Sequence, residues 1–256
     1  MAPPKVFITG ASSGIGAALA RHYAAQGATL GLAARRAAQL QTLAASLSTQ
    51  VSVYPLDVTD SAALAAAAQD FILRHGVPDI VIANAGISTG TRGDLAADIA
   101  VLSRILHTNV LGLAATLQAF VAPMRERGSG ALVGIASVAG FRGLPGAGAY
   151  SASKSAAIAW LEALRIELHG SGVDVVTICP GYVATPLTAV NRHPMPFLLG
   201  APEAARRIAG AIRAKKRLAI IPWQMRIVFF VLRRMPGWLY DRLFARAPRK
   251  ARDLPG

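Results

Sequence analysis

Val6-Phe7-Ile8-Thr9-Gly10-Ala11-Ser12-Ser13-Gly14-Ile15-Gly16 is the stretch that decides the fold. Its first four residues are β-branched or aromatic and read as a buried strand; three glycines follow, and the alanine-rich residues 17–25 read as a helix. In a strand-to-helix turn of this kind Gly10 permits the tight turn. Gly14 lets the backbone come close to a pyrophosphate, and Gly16 lets the helix lie close on the strand. The helix amino terminus adds unpaired N–H groups and partial positive charge, which suit phosphate. A nucleotide is the ligand this turn is built for.

The same alternation continues along the chain. Residues 29–33, 50–56, 80–83, 132–136, 173–179 and 218–221 read as strands, and alanine-rich segments such as 62–68 read as the helices between them. Continuous apolar strands separated by helices predict a doubly wound parallel sheet with helices on both faces, a single-domain α/β Rossmann fold over residues 1–221. Residues 222–256 form an extension beyond it.

Composition limits the function classes. With 53% hydrophobic and 16% charged residues in 256, the chain can bury enough apolar surface to fold, which excludes intrinsic disorder. Cys179 is the single cysteine, so neither an internal disulfide nor a cysteine zinc site exists, and a small buried apolar role is expected for it. The five histidines show no metal-ligand spacing. Met1-Ala-Pro-Pro runs straight into the first strand, so no secretory leader is read and a cytoplasmic location is expected.

The net charge of +14 is unevenly placed. Residues 1–202 carry 13 basic and 10 acidic side chains, a net +3, whereas residues 203–256 carry 14 and 3, a net +11. No RNA-binding signature or zinc finger accompanies the basic tail, so nucleic acid is not an expected partner.

Tyr150 and Lys154 stand four residues apart, which on a helix places phenol and ammonium on one face. A phenol normally ionises near pH 10, so it becomes a useful acid or base near neutrality when a nearby cation favours the phenolate. Ser137 ends a strand thirteen residues earlier, Asn84-Ala85-Gly86 and Asp57-Val58 each follow a strand, and Pro180-Gly181-Tyr182-Val183-Ala184-Thr185 closes the sixth.

Together with the Gly-x-x-x-Gly-x-Gly turn, these motifs resemble the short-chain dehydrogenase/reductase family over residues 5–190. The resemblance implies that Tyr150 exchanges a proton with a carbonyl oxygen, that Ser137 positions that oxygen, that Lys154 lowers the phenol pKa, and that Asn109 helps hold a water linking Lys154 to solvent. It further implies a nicotinamide dinucleotide held by Gly10, Ser12, Ser13, Gly14, Ile15, Gly16, Arg35, Arg36, Asp57, Val58, Asn84, Ala85, Gly86, Tyr150, Lys154, Pro180, Gly181, Val183 and Thr185. Asp57 would contact the adenine and Thr185 the nicotinamide amide. No metal is implied.

Members that prefer NAD carry an acid after the second strand, and here that position is Ala34, followed by Arg35 and Arg36. A guanidinium can grip a phosphate bidentately, and Ser13 adds a hydroxyl, so NADP(H) is the expected cofactor. The expected activity is reversible hydride transfer between nicotinamide and a carbonyl or secondary alcohol, in a homo-oligomer. The alternative is a non-catalytic dinucleotide-sensing or scaffold protein that keeps the fold.

Residues 187–200 should form a flap over the substrate. Met195, Phe197, Leu198 and Leu199 make it apolar, which points to a lipophilic ketone or aldehyde of fatty-acyl, steroid, retinoid or sphingoid type. In the extension, Trp223, Phe229, Phe230, Trp238, Leu239, Tyr240, Leu243 and Phe244 alternate with Arg226, Arg233, Arg234, Arg242, Arg246, Arg249 and Lys250, and Pro236-Gly237 breaks it into two short helices. The apolar run 227–232 is too short to span a bilayer, which takes about 20 residues. Two readings of the extension stand: peripheral contact with an anionic membrane, and packing on the body or a partner subunit.

Overall fold

In the computed structural model, residues 3–191, 194–245, 250 and 252 are described. The chain runs β1 (Lys5–Thr9), α1 (Gly14–Ala24), β2 (Thr29–Ala34), α2 (Ala37–Ala45), β3 (Val51–Pro55), α3 (Ser61–His75), β4 (Ile80–Ala83), α4 (Asp98–Leu106) and α5 (Gly112–Arg127). It continues through β5 (Gly130–Ile135), α6 (Gly148–Glu167), β6 (Val173–Pro180), β7 (Val183–Ala184), α7 (Pro186–Ala189), β8 (Leu199–Gly200), α8 (Ala201–Arg213), β9 (Leu218–Ile221), α9 (Trp223–Arg234) and α10 (Gly237–Phe244).

Seven parallel strands form one sheet in the order β3-β2-β1-β4-β5-β6-β9. Every strand assigned from the sequence is present, within one or two residues at each end. Alternation along β1 shows why a continuous apolar strand is needed. Val6 and Ile8 join a core beneath α1, α2 and α8, while Phe7 points to the other face and packs with Phe71 and Phe120 beneath α3, α5 and α6. Both faces are covered, so each strand needs apolar side chains on both sides.

The strand order reverses between β1 and β4. This switch point opens a crevice at the carboxyl ends of the strands, where the loops after β1, β2, β3, β4, β5 and β6 converge. The helix behind it runs from Asp98 to Arg127 and is α-helical except for one π-helical turn at His107–Leu111. By length and composition it could cross a membrane; here it packs on the sheet and against α6. The extra residue of a π turn changes the facing of the side chains around it, a device frequent at functional sites. Asn109 sits within that turn.

Beyond β9 the chain does form two helices, separated at Pro236, as the sequence predicts.

Candidate active site

The floor of the site is the junction of β1 and β4. Gly10 has φ +66°, and a Cβ there would fall 2.7 Å from the Ala85 Cα; a Cβ on Gly16 would run into the Gly10 carbonyl oxygen. Asn84 Nδ2 donates to the Thr9 and Gly10 carbonyls at 3.0 and 3.2 Å, and the Thr9 hydroxyl accepts from the Asn84 and Ala85 N–H groups. The Asn84-Ala85-Gly86 turn is thereby clamped to the glycine turn, which fixes one wall of the crevice.

The crevice encloses about 550 Å³ and runs from Arg35 and Arg36 to Ser137, Tyr150 and Lys154. Ser12, Ser13, Gly14, Ile15, Asp57, Val58, Ala85, Gly86, Pro180, Gly181, Val183 and Thr185 line it as expected. Two predicted residues do not. Gly16 lies behind the turn, where its lack of a side chain serves helix-to-strand packing. Asn109 is wholly buried behind Gly86.

At the reacting end, Ser137 follows β5 in extended backbone and accepts from the Ala139 N–H at 3.1 Å, and its hydroxyl is hydrogen-bonded to Tyr150. Lys154 is buried, and its Nζ donates to the Ile135 carbonyl at 2.8 Å, 5.8 Å from the Tyr150 ring centre. Asn109 Nδ2 donates to the Ile87 carbonyl and to Ser153 Oγ, and its Oδ1 accepts from the Ile87 N–H at 2.8 Å. A Cβ on Gly86 would sit 3.2 Å from Asn109 Oδ1 and 3.6 Å from Lys154 Nζ, so the amide and the ammonium share one recess.

Burial dominates the electrostatics of this end. Burial pushes the Tyr150 phenol up, outweighing the Ser137 hydrogen bond that favours the phenolate. Burial also lowers the Lys154 ammonium to about 8. Lys154 is itself desolvated, and its hydrogen bond goes to a carbonyl. Cys179, behind both, is buried and its thiol is pushed up to about 12, so it stays neutral.

At the far end, the Arg36 guanidinium donates to Ser12 Oγ at 3.0 Å and Ser13 Oγ at 2.7 Å. Arg35 instead makes a 3.7 Å ion pair with Asp57. The Asp57 carboxylate also accepts from the Thr59 N–H and hydroxyl, while Asp60 caps α3 by accepting from the Ala63 N–H. A guanidinium and two hydroxyls, with Ala34 in place of a carboxylate, are the donors a phosphate monoester requires. The residues present thus fit a dinucleotide.

The flap departs from expectation. Leu187 and Thr188 line the crevice, but Phe197 and Leu198 are exposed and Leu199 packs against the core. Arg192 and His193, within the same segment, lie outside the described residues.

The extension packs against the segment that follows Ser137, through contacts that could not be placed from the sequence. Phe229 of α9 packs on Phe141 with ring centres 3.9 Å apart, and Arg142 donates to the Leu232 and Met235 carbonyls while lying 4.0 Å over the Tyr240 ring. Tyr240 donates to the Gly143 carbonyl at 2.6 Å. Farther on, Lys250 Nζ donates to Ser88 Oγ at 2.7 Å and lies 5.6 Å from the Tyr150 ring centre, and Arg252 pairs with the buried Asp98 at 2.6 Å. Arg246 and Arg249 lie outside the described residues. No local pattern announces these contacts, because residue pairs such as Ser88 and Lys250 are 162 positions apart.

Comparison with known proteins agrees with this geometry. A family model for short chain dehydrogenases matches residues 4–195. An uncharacterized oxidoreductase of Myxococcus xanthus is 40% identical over 91% of this chain and 93% of its own length. The ketoacyl reductase HetN of a Nostoc species is 37% identical over 84% of this chain and 77% of its own. Among solved structures, a short-chain dehydrogenase from Streptomyces avermitilis superposes with a TM-score of 0.81 at 27% identity, covering 95% of each chain.

Proposed function

From the premise that the chain belongs to the short-chain dehydrogenase family, oxidoreductases that act on CH–OH and C=O groups with a nicotinamide dinucleotide, we propose that it is an NADPH-dependent reductase of lipophilic ketones or aldehydes. One observation carries the reading: a single crevice has Ser137, Tyr150 and Lys154 at one end and Arg36 with Ser12 and Ser13 at the other. When bound, the cofactor supplies hydride to the carbonyl carbon.

The chain's own residues do the rest. Ser137 and Tyr150 hydrogen-bond the carbonyl oxygen and hold it against the Gly86 wall. Tyr150, which its burial keeps protonated, gives its hydroxyl proton to that oxygen as negative charge develops there. The Lys154 ammonium then stabilises the phenolate left behind, and Asn109 fixes the recess in which that ammonium sits. At the adenosine end Arg36, Ser12 and Ser13 take the 2′-phosphate, and Ala34 leaves no carboxylate to repel it.

The apolar substrate reading rests on the extension more than on the flap. Trp223 and Trp238 are 63% and 69% exposed, and Ile227, Phe230 and Val231 are exposed beside them. Arg226, Arg233, Arg234 and Arg242 lie on the same two helices. Large apolar side chains among arginines fit the interface of an anionic bilayer. Because α9 and α10 pack on Phe141, Arg142 and Gly143, just after Ser137, docking through them would hold this side of the body against the lipid surface. One face of the extension packs on the body, and its exposed face is the one we assign to lipid.

The test is a panel of alkyl ketones and aldehydes of increasing chain length, with NADPH oxidation followed in the purified full chain. Rising kcat/KM with chain length supports the reading. Turnover confined to short hydrophilic carbonyls contradicts the lipophilic part, and preference for NADH contradicts the cofactor part.

A further inference from the structure

Two ammonium groups approach the Tyr150 ring, and only one belongs to the catalytic set. Lys154 lies 5.8 Å from the ring centre and Lys250 lies 5.6 Å from it. Lys250 is brought there from the carboxyl-terminal end of the chain. Arg252, two residues on, pairs at 2.6 Å with Asp98, a buried carboxylate that also accepts the Arg92 N–H at 2.7 Å. Those two partners hold the Asp98 carboxyl below the usual carboxylate range, so the carboxylate is charged at neutral pH.

What Lys250 meets is incomplete for a cation. Among the described residues its Nζ donates to one group, the hydroxyl of Ser88, which is 2% exposed and lines the crevice next to the Asn84-Ala85-Gly86 turn. An ammonium has three donors, and among the described residues no carboxylate stands within 4 Å of this one. Burial alone moves its pKa, down to about 8. A largely desolvated cation without a counter-charge is costly, and an anion bound beside it offsets that cost.

Resting on the reductase reading above, we propose that Lys250 is a specificity residue that binds an anionic group, carboxylate or phosphate, carried by the substrate within a few bonds of the reacting carbonyl. In the reductase reading the carbonyl oxygen is held by Ser137 and Tyr150, and Lys250 lies 5.6 Å from the centre of the same Tyr150 ring, bonded to Ser88, which lines the crevice. The substrate class this selects is amphiphilic: an apolar chain bearing an oxo group with an anionic group near it. Neutral alkyl ketones fill the same space and leave Lys250 without its counter-ion.

Two measurements on the full chain test this. The first compares oxo carboxylic acids of graded spacing, the matching oxo alkyl phosphates and the methyl esters of the acids, in wild type, Lys250→Gln and Lys250→Arg. Wild type should favour one anionic series over the esters by about ten- to a hundredfold in kcat/KM, mainly through KM, because a charge-assisted contact is worth about 1.5–3 kcal/mol. The acid and phosphate arms identify which anion it is. In Lys250→Gln the anion-to-ester ratio should collapse toward one, and in Lys250→Arg most of it should survive. No anion preference in wild type, or an unchanged ratio in Lys250→Gln, overturns the proposal.

The second measurement needs no turnover: octanoate is titrated against the NADPH-loaded protein with nicotinamide fluorescence as the readout. Binding at least about tenfold weaker in Lys250→Gln than in wild type supports the site. Equal affinity overturns it. Absence of turnover with every carbonyl, esters included, would count against the reductase reading alone, since the octanoate result stands by itself.

Discussion

The two halves of the crevice are made by different means. The cofactor half is built from turns that directly follow strands, so its donors are fixed by backbone geometry and short sequence spacing: Gly10, Ser12 and Ser13 after β1, Arg35 and Arg36 after β2, Asp57 after β3. The end of the crevice at Ser137 and Tyr150 is flanked by tertiary contacts spanning 90 to 162 residues, through Arg142 to Leu232 and Ser88 to Lys250. The contrast teaches where this protein's individuality lies. The nucleotide end is local in sequence, whereas the contacts beside the other end come from an extension that leaves no motif, and it is there that we propose substrate selection.

The largest effect should come from the point where the halves meet. Tyr150→Phe removes the hydroxyl that, in the proposed reaction, donates its proton to the carbonyl oxygen, and general acid–base groups contribute about 10²- to 10⁴-fold. We expect kcat to fall by about that factor while NADPH affinity, measured by calorimetry, stays within about twofold. A parallel fall in NADPH affinity would show that the halves are not separable at this residue.

Next in size is the cofactor half alone. Replacing Arg36 with Ala while introducing Ala34→Asp should lower the NADPH-to-NADH ratio of kcat/KM by about 30- to 1000-fold, from the loss of charged contacts and the gain of a repelling carboxylate. Arg35→Ala should do less, because Arg35 is engaged by Asp57. Equal effects from Arg35 and Arg36 would mean that both guanidinium groups reach the phosphate.

A pH profile sharpens the comparison further. Lys154 is charged below its pKa of about 8 and neutral above it, so kcat/KM for reduction should be flat up to about pH 8 and then fall, by up to tenfold per pH unit. Tyr150, shifted upward, remains a proton donor throughout that range. Lys250 titrates in the same region, so Lys250→Gln is the control: the fall should persist there with neutral substrates. A profile in that variant that stays flat to pH 10 would mean that Lys154 keeps its ordinary pKa.

The extension provides the smallest effects. Arg142→Ala should cost about 1–3 kcal/mol of stability in denaturant unfolding, since two carbonyl contacts and the stacking on Tyr240 are lost together. The variant should also lose the salt-resistant part of its binding to anionic vesicles in co-sedimentation, because the apolar face is no longer held in place. Unchanged vesicle binding would separate membrane contact from packing on the catalytic loop.

Most of the fold and the cofactor half were legible in the sequence for a physical reason: strands buried on both faces must be continuously apolar, and a turn that admits a pyrophosphate must be glycine-rich. Ser137, Tyr150 and Lys154 could be placed because a strand end and one helical turn fix them. What was illegible depends on the third dimension. The π turn that carries Asn109 has no signature in Thr108-Asn109-Val110, and the exposure of Phe197 and Leu198 cannot be read from an apolar tetrapeptide. The upward shift at Tyr150 follows from burial, whereas the Tyr-to-Lys spacing speaks only of charge. Lys250 was one basic residue among many until the chain folded back on Ser88.

The most direct test of the central claim is a pair of titrations of the full-length protein with NADPH and NADH, read by energy transfer from tryptophan to nicotinamide, followed by initial rates with a long-chain ketone. The account predicts NADPH bound at least about tenfold more tightly than NADH, as one charge-assisted phosphate contact requires, and oxidised correspondingly faster. Tighter binding of NADH, or equal binding of the two, would contradict it.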